Sequence, residues 1–214
     1  RLGWQIEVVS VEALAGELRD DSLTAEIDLP SIRVKRVPYQ EPFRNLDRLP
    51  GGWRLRGLMQ DWWLFPDRAA AWLGPAYDAA AKVCEAHPGM PVFTTVAPYT
   101  AHLIGLALKR RFGSFWAADF RDEWTQNPYL RFPTRFHANR HRQAERQVLA
   151  GADLITAVTA KITSGLHDLA PMTQAVFETI PNGYDPDDLK DLSYQRQPYF
   201  TLTHIGTLNP ARSR

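Results

Sequence analysis

An α/β fold with an open parallel sheet covered by helices on both faces, followed by the first strand of a second domain, is the architecture the chain predicts. Two observations carry it. Short apolar runs alternate with helix-length amphipathic segments along most of the 214 residues. Several of those runs also stop abruptly at polar or glycine residues, as in ADFRDEW (Ala118 to Trp124), IPNGYDP (Ile180 to Pro186) and FTLTHIGTLNPAR (Phe200 to Arg212). Open α/β sheets collect ligands outside the carboxyl ends of their strands, so these stops mark candidate binding positions.

Taken in order, Trp4 to Val9 reads as a strand, and Ser31 to Val37 as a second whose charged alternation suits an edge. WRLRGLMQDWWLF follows the Gly51-Gly52 pair and predicts an amphipathic helix, with Trp53, Trp62 and Trp63 read by their helical spacing as core rather than as a sugar-stacking platform. Pro75 fits the first turn of the next helix, which stops at His87-Pro88-Gly89. Strands are then expected at Pro91 to Val96, Ser114 to Ala118, Asp153 to Val158 and Ala175 to Ile180. Helices are expected at Tyr99 to Arg111, at Thr134 to Ala150, and from an N-cap at Thr159 to Leu169. Residues 1–180 make the first domain, the polar and proline-containing segment 181–198 a linker, and 199–214 the opening of the next domain, with a strand over Tyr199 to Ile205.

Composition bounds the function loosely. With 44% hydrophobic and 23% charged residues the chain can bury one sizeable core, and a net charge of +1 gives no global attraction to nucleic acid, which is not expected as a partner. A single cysteine, Cys84, forms no internal disulfide, and no Cys/His cluster has metal spacing. A cytoplasmic setting is therefore expected. No stretch has the length and apolarity of a membrane span, and RLGWQIEVV does not read as a signal peptide. The missing initiator Met suggests a truncated N-terminus.

Three segments carry candidate chemistry. In ADFRDEW, a strand ending in Asp119, Arg121 and Asp122 presents two carboxylates and a guanidinium that suit sugar hydroxyls or phosphate oxygens. The structural alternative is an Asp119–Arg121 salt bridge that holds the loop over a buried Trp124. In TTVAPYTAHLIGL, a strand leads into a helix whose first N–H groups, with Thr95, Tyr99 and Thr100, suit an anion or hydroxyl, against the plainer account of a capped helix with Ile104 and Leu108 in the core. His102 reads more readily as a packing or surface histidine than as a catalyst. Arg131 to Arg146 carries Arg131, Arg135, Arg140, Arg142 and Arg146 against Glu145 alone, interleaved with Phe132 and Phe136. A solvated face is the plainest account, and anionic lipid headgroups, a phosphorylated acceptor and nucleic acid are the other readings.

The order of ADFRDEW, IPNGYDP and HIGTLNPAR resembles the N-terminal, acceptor-side half of the large retaining glycosyltransferase family four, of GT-B type, in the branch with an "FRD" block. That resemblance spans most of residues 1 to 212. It implies a Rossmann-like parallel sheet with helices on both faces, and a first strand, glycine-rich loop and helix preceding Arg1. It further implies a sugar-nucleotide domain with paired glutamates beyond Arg214, so that this segment by itself is inactive. The activity implied is transfer of a sugar from a nucleotide-sugar donor to a hydroxyl, with retention, in cell-surface polysaccharide or glycolipid synthesis. Asp122 and Arg121 are the implied catalytic pair. Asp119, Thr95, Tyr99, Thr100 and Asn182 bind substrate, and Gly206 and Arg212 hold the donor phosphates, with Thr207 standing where the family has an Arg. Neither metal nor cofactor is expected, since family members neutralise the diphosphate with basic side chains and helix dipoles. Asp185, Asp187 and Asp188 lack the glycine and distal Glu of a calcium loop. The implied partners are a nucleotide sugar and a sugar or lipid-linked acceptor, with peripheral contact at the inner membrane face. Two alternatives remain: a non-catalytic sugar- or phosphate-binding module, and a GT-B-fold sugar-nucleotide epimerase.

Overall fold

A computed structural model of the chain describes residues 3–12, 27–186, 190 and 198–203. The chain divides into two compact units, Arg1–Ile180 and Pro181–Arg214. The first is α/β. Strands β1 (Ile6–Val11) and β2 (Ile32–Val37) pair in parallel as a two-stranded sheet. A four-stranded parallel sheet runs in the order β3 (Val92–Thr95), β4 (Trp116–Phe120), β5 (Leu154–Ala157) and β6 (Val176–Thr179). Its register aligns Thr95, Asp119, Thr156 and Glu178 in one row near the carboxyl ends. Five α-helices are described: α1 (Gly52–Trp63), α2 (Leu73–Ala86), α3 (Thr100–Phe112), α4 (Arg135–Gly151) and α5 (Ala160–Leu169). Together they flank a Rossmann-like parallel sheet.

Local chemistry explains the boundaries. Helix α3 ends at Gly113, whose positive φ of 66° suits a residue without a Cβ, and carries Lys109, Arg110 and Arg111 in its last turn, where cations meet the helix dipole favourably. Helices α4 and α5 start at Thr134 and Thr159, whose hydroxyls accept from the N–H groups of His137 and Ile162. Strand β4 reads WAADF, and all but Asp119 are buried, as an interior parallel strand requires.

The core lies on one face of the four-stranded sheet. Trp116, Ala118 and Phe120 of β4, with Ile155 and Ala157 of β5, pack against Leu106 of α3, Val148 and Leu149 of α4 and Leu166 of α5. A second cluster joins α2 (Ala76, Ala79, Cys84) to Ile104 and Leu108 of α3 and to Val37 of β2. On the other face, Phe93 and Val176 are exposed.

The tryptophans of α1 depart from expectation. Trp53, Trp62 and Trp63 are not core residues but are 62%, 52% and 71% exposed. The polar side of the helix faces inward instead. Gln60 is buried and donates to Glu41 Oε1 (3.2 Å) and to the Pro42 carbonyl (3.2 Å), while Arg56 is paired with Glu41 (2.9 Å) and Asp47 (3.1 Å). Helical spacing alone does not say which side of a helix the fold will cover. In the second unit, the strand expected over Tyr199 to Ile205 is not formed across its described part, residues 199–203.

Candidate functional site

At the carboxyl edge of the four-stranded sheet, Asp119 joins three strands. Its Oδ2 accepts from the Thr95 hydroxyl on β3 (2.7 Å) and its Oδ1 from the Thr156 hydroxyl on β5 (2.7 Å). The parallel register places these residues side by side, so the three side chains meet without distortion. Two neutral hydroxyls therefore hold the carboxylate, and the Asp119–Arg121 ion pair weighed from sequence does not form. Thr95 and Asp119 retain partial exposure. Each oxygen of Asp119 keeps lone-pair capacity beyond the one bond it accepts.

Arg121 and Asp122 follow in the bend after β4, both exposed. Among the described residues neither side chain makes a hydrogen bond or an ion pair. The chain then dives back into the core at Trp124, which is fully buried, stacks on Tyr99 (4.7 Å between centroids, 9° between planes) and donates from Nε1 to His141 Nδ1 (3.1 Å). The next residue, Thr125, gives both its N–H and its hydroxyl to the buried Glu145. Burial raises the Glu145 pKa, opposed by those two bonds from Thr125. The Arg121-Asp122 bend is thus fixed on one side by β4 and on the other by the Trp124 and Thr125 anchors.

The start of α3 is not the open anion seat that its position suggested. Asp67 fills it: Oδ2 accepts from the Thr100 N–H (3.1 Å) and Oδ1 from the Thr100 hydroxyl (2.7 Å) and the Ala69 N–H (2.9 Å). An internal carboxylate thus occupies the dipole end where a phosphate would have bound. Thr100 is fully buried, and Tyr99 donates its hydroxyl to the Glu123 carbonyl (2.8 Å). Burial pushes the Tyr99 phenol up to about 12. Both residues are packing elements beneath the bend.

Of the remaining candidates, Asn182 is exposed in the second unit. Gly206 and Arg212 lie outside the described residues. No group of three or more His, Cys, Asp or Glu side chains suited to a metal ion occurs among the described residues. A cavity of about 600 Å³ lined by Lys109, Arg146, Asp153 and Thr173 opens at the amino end of the sheet, away from Arg121 and Asp122. Its Lys109 is bound to Asp153 (2.8 Å), which also accepts from the Trp116 N–H (2.7 Å), so this pair ties α3 to the starts of β4 and β5.

His102, read from the sequence as a packing or surface histidine, is a packing one. It is completely buried, with Nδ1 2.8 Å from the Thr94 hydroxyl, which also accepts from Trp116 Nε1 (2.9 Å), and its Nε2 has no partner among the described residues. No sequence signal separates such a histidine from a surface one, because its apolar neighbours Trp116 and Phe120 come from another element. No family model matches the chain, and no curated protein matches it.

Proposed function

We propose that the protein is, in its full-length form, a retaining glycosyltransferase, and that residues 1–180 supply its acceptor side. The observation that carries this reading is the Arg121-Asp122 pair. Both side chains are exposed just past an interior parallel strand, on a bend anchored from below, and neither is engaged by another described residue. A salt-bridged or buried pair would have a structural role. An unengaged carboxylate and guanidinium held in a fixed place suit a polyhydroxyl ligand with a developing charge.

In this scheme Asp122 accepts a hydrogen bond from the acceptor hydroxyl and orients its oxygen toward the anomeric carbon of the donor. The carbon–oxygen bond to the nucleoside diphosphate breaks as the new glycosidic bond forms on the same face. The hydroxyl proton passes to the departing diphosphate, and Arg121 stabilises the negative charge that gathers there. Asp119, locked by Thr95 and Thr156, holds the end of β4 in place beneath the pair. Thr100 and Tyr99 have no direct part.

The test is release of nucleoside diphosphate from a panel of nucleotide sugars by the full-length protein, with and without hydroxyl acceptors. Asp122→Ala is expected to lower kcat/KM by about 10²-fold, the scale of a misplaced reacting group. Asp122→Asn should be less damaging, because the amide oxygen still accepts. Unchanged turnover in Asp122→Ala would remove Asp122 from the mechanism. Absence of transfer with every donor would reject the activity.

A further inference from the structure

We propose that α1 and the start of α4 form a docking surface for an anionic lipid bilayer. Helix α1 is turned inside out relative to a soluble helix. Its polar residues Arg56 and Gln60 face the fold, while Leu55, Leu58 and Trp62, spaced i, i+3 and i+7, form an exposed apolar stripe. Trp53 and Trp63 extend the exposed apolar surface at the two ends of the helix. The stripe continues onto α4: His137 Nε2 lies 3.2 Å from the Trp62 carbonyl, its ring meets the Trp62 ring edge-on at 5.4 Å, and its neighbour Phe136 is 70% exposed. Contiguous exposed apolar residues on a folded domain mark a surface with a partner.

Charge selects the partner. Arg131 ahead of α4 and Arg135, Arg140 and Arg142 on it are exposed, and none is in an ion pair among the described residues. Arg140 lies over the Phe65 ring at 3.9 Å, and Arg142 donates to Asn139 (3.2 Å). The one acid of this segment, Glu145, is turned inward onto Thr125. Arg54 stacks over Trp53 at 5.0 Å, and Asp61 is the exposed acid of α1. Five arginines thus stand against one acid over residues 131–146, in a chain whose net charge is only +1. Tryptophan, leucine and phenylalanine beside unpaired arginines suit a phase that is apolar below and anionic above. That is the interface of an acidic bilayer, where indole rings settle at headgroup depth and guanidinium groups reach phosphate. No described helix is long and apolar enough to cross a membrane, so the contact is peripheral.

Vesicle binding reads this surface without any activity, so its result is independent of sugar transfer. The purified protein is mixed with vesicles of phosphatidylcholine alone, or with phosphatidylglycerol added, and sedimented at low and high salt. Binding is expected on the acidic vesicles only, weakening as salt rises, with a blue shift of tryptophan emission. Arg131→Gln, Arg135→Gln and Arg142→Gln together should lower the partition coefficient by about 10²-fold, from roughly 1 kcal/mol for each charge at the surface. Arg140 is left in place because it packs on Phe65. Trp62→Gln with Trp63→Gln and Phe136→Gln should reduce the blue shift to the part that Trp53 supplies, with circular dichroism reporting an intact fold. Equal sedimentation on neutral and acidic vesicles overturns the proposal. So does binding unaffected by both triple variants when both are folded, or an absence of vesicle binding together with concentration-dependent self-association through the same residues.

Discussion

Gly105 sits where α3 crosses the indole of Trp116, and a Cβ at this position would clash with the ring, 2.4 Å from Nε1. Trp116 is fully buried and donates to Thr94, so it has little room to move. Gly105→Ala is therefore expected to destabilise the fold by about 1–3 kcal/mol, the usual cost of overpacking a core. Chemical denaturation with and without Trp116→Phe checks it. The smaller ring should relieve part of the clash, so the two effects should not add; strict additivity would place the cost of the substitution elsewhere. Nothing local in the run LIGLAL marks this contact, since the ring arrives from a different element. The same holds for Asp119, whose partners Thr95 and Thr156 are distant in sequence and become neighbours only through strand register.

At the scale of elements, Asp67 acts as a cap supplied from outside α3. It precedes a short 3-10 segment (Arg68–Trp72) and closes both that segment and the first turn of α3. Asp67→Ala leaves the Thr100 N–H and hydroxyl unpaired in the interior, and a loss of about 2 kcal/mol is expected, seen as a lower thermal midpoint. An unchanged midpoint would mean that water replaces the carboxylate. The strands and helices themselves were largely legible: α3, α4 and α5 fall within a residue or so of their expected starts, because caps such as Thr134 and Thr159 are local signals. Strand β4 is displaced by two residues from its expected span, since the buried run simply continues through Asp119 to Phe120. What could not be read was orientation. The apolar residues of α1 predict a core face, yet the inward contacts are made by Arg56 and Gln60. The position of Arg121 and Asp122 at a sheet edge was legible, whereas the carboxylate filling the α3 terminus was not, because Asp67 lies 33 residues before Thr100.

For the molecule as a whole, two buried histidines should govern stability in mildly acid solution. Burial lowers the His102 pKa to about 3 and that of His141 to about 4, against 6.5 for a free imidazole. Each must stay neutral to remain in place. His141 uses Nδ1 as the acceptor for Trp124 Nε1, and His102 lies against Phe120 with an unpartnered Nε2. Between pH 6.5 and these lowered values the unfolded chain binds more protons than the folded one, so stability is complete above 6.5 and is lost as the pH falls. The slope approaches about 1.4 kcal/mol per pH unit for each histidine. Carboxylates contribute in opposite senses. Burial acts to raise the Asp153 pKa, but the bonds from Lys109 and the Trp116 N–H hold it below the usual range, so it removes stability in acid, whereas the raised pKa of Glu145 restores some. Over the interval from pH 6.5 to 5 the two imidazoles remove stability, and protonation of Glu145 acts against them. Urea midpoints measured across this interval should fall steadily, with the two imidazoles together contributing on the order of 3 kcal/mol. His102→Gln should roughly halve the slope whatever it does to absolute stability, and the slope is the informative readout because it counts protons rather than contacts. A flat wild-type profile over this interval would show that both rings protonate within the folded protein and that neither is held neutral by its surroundings.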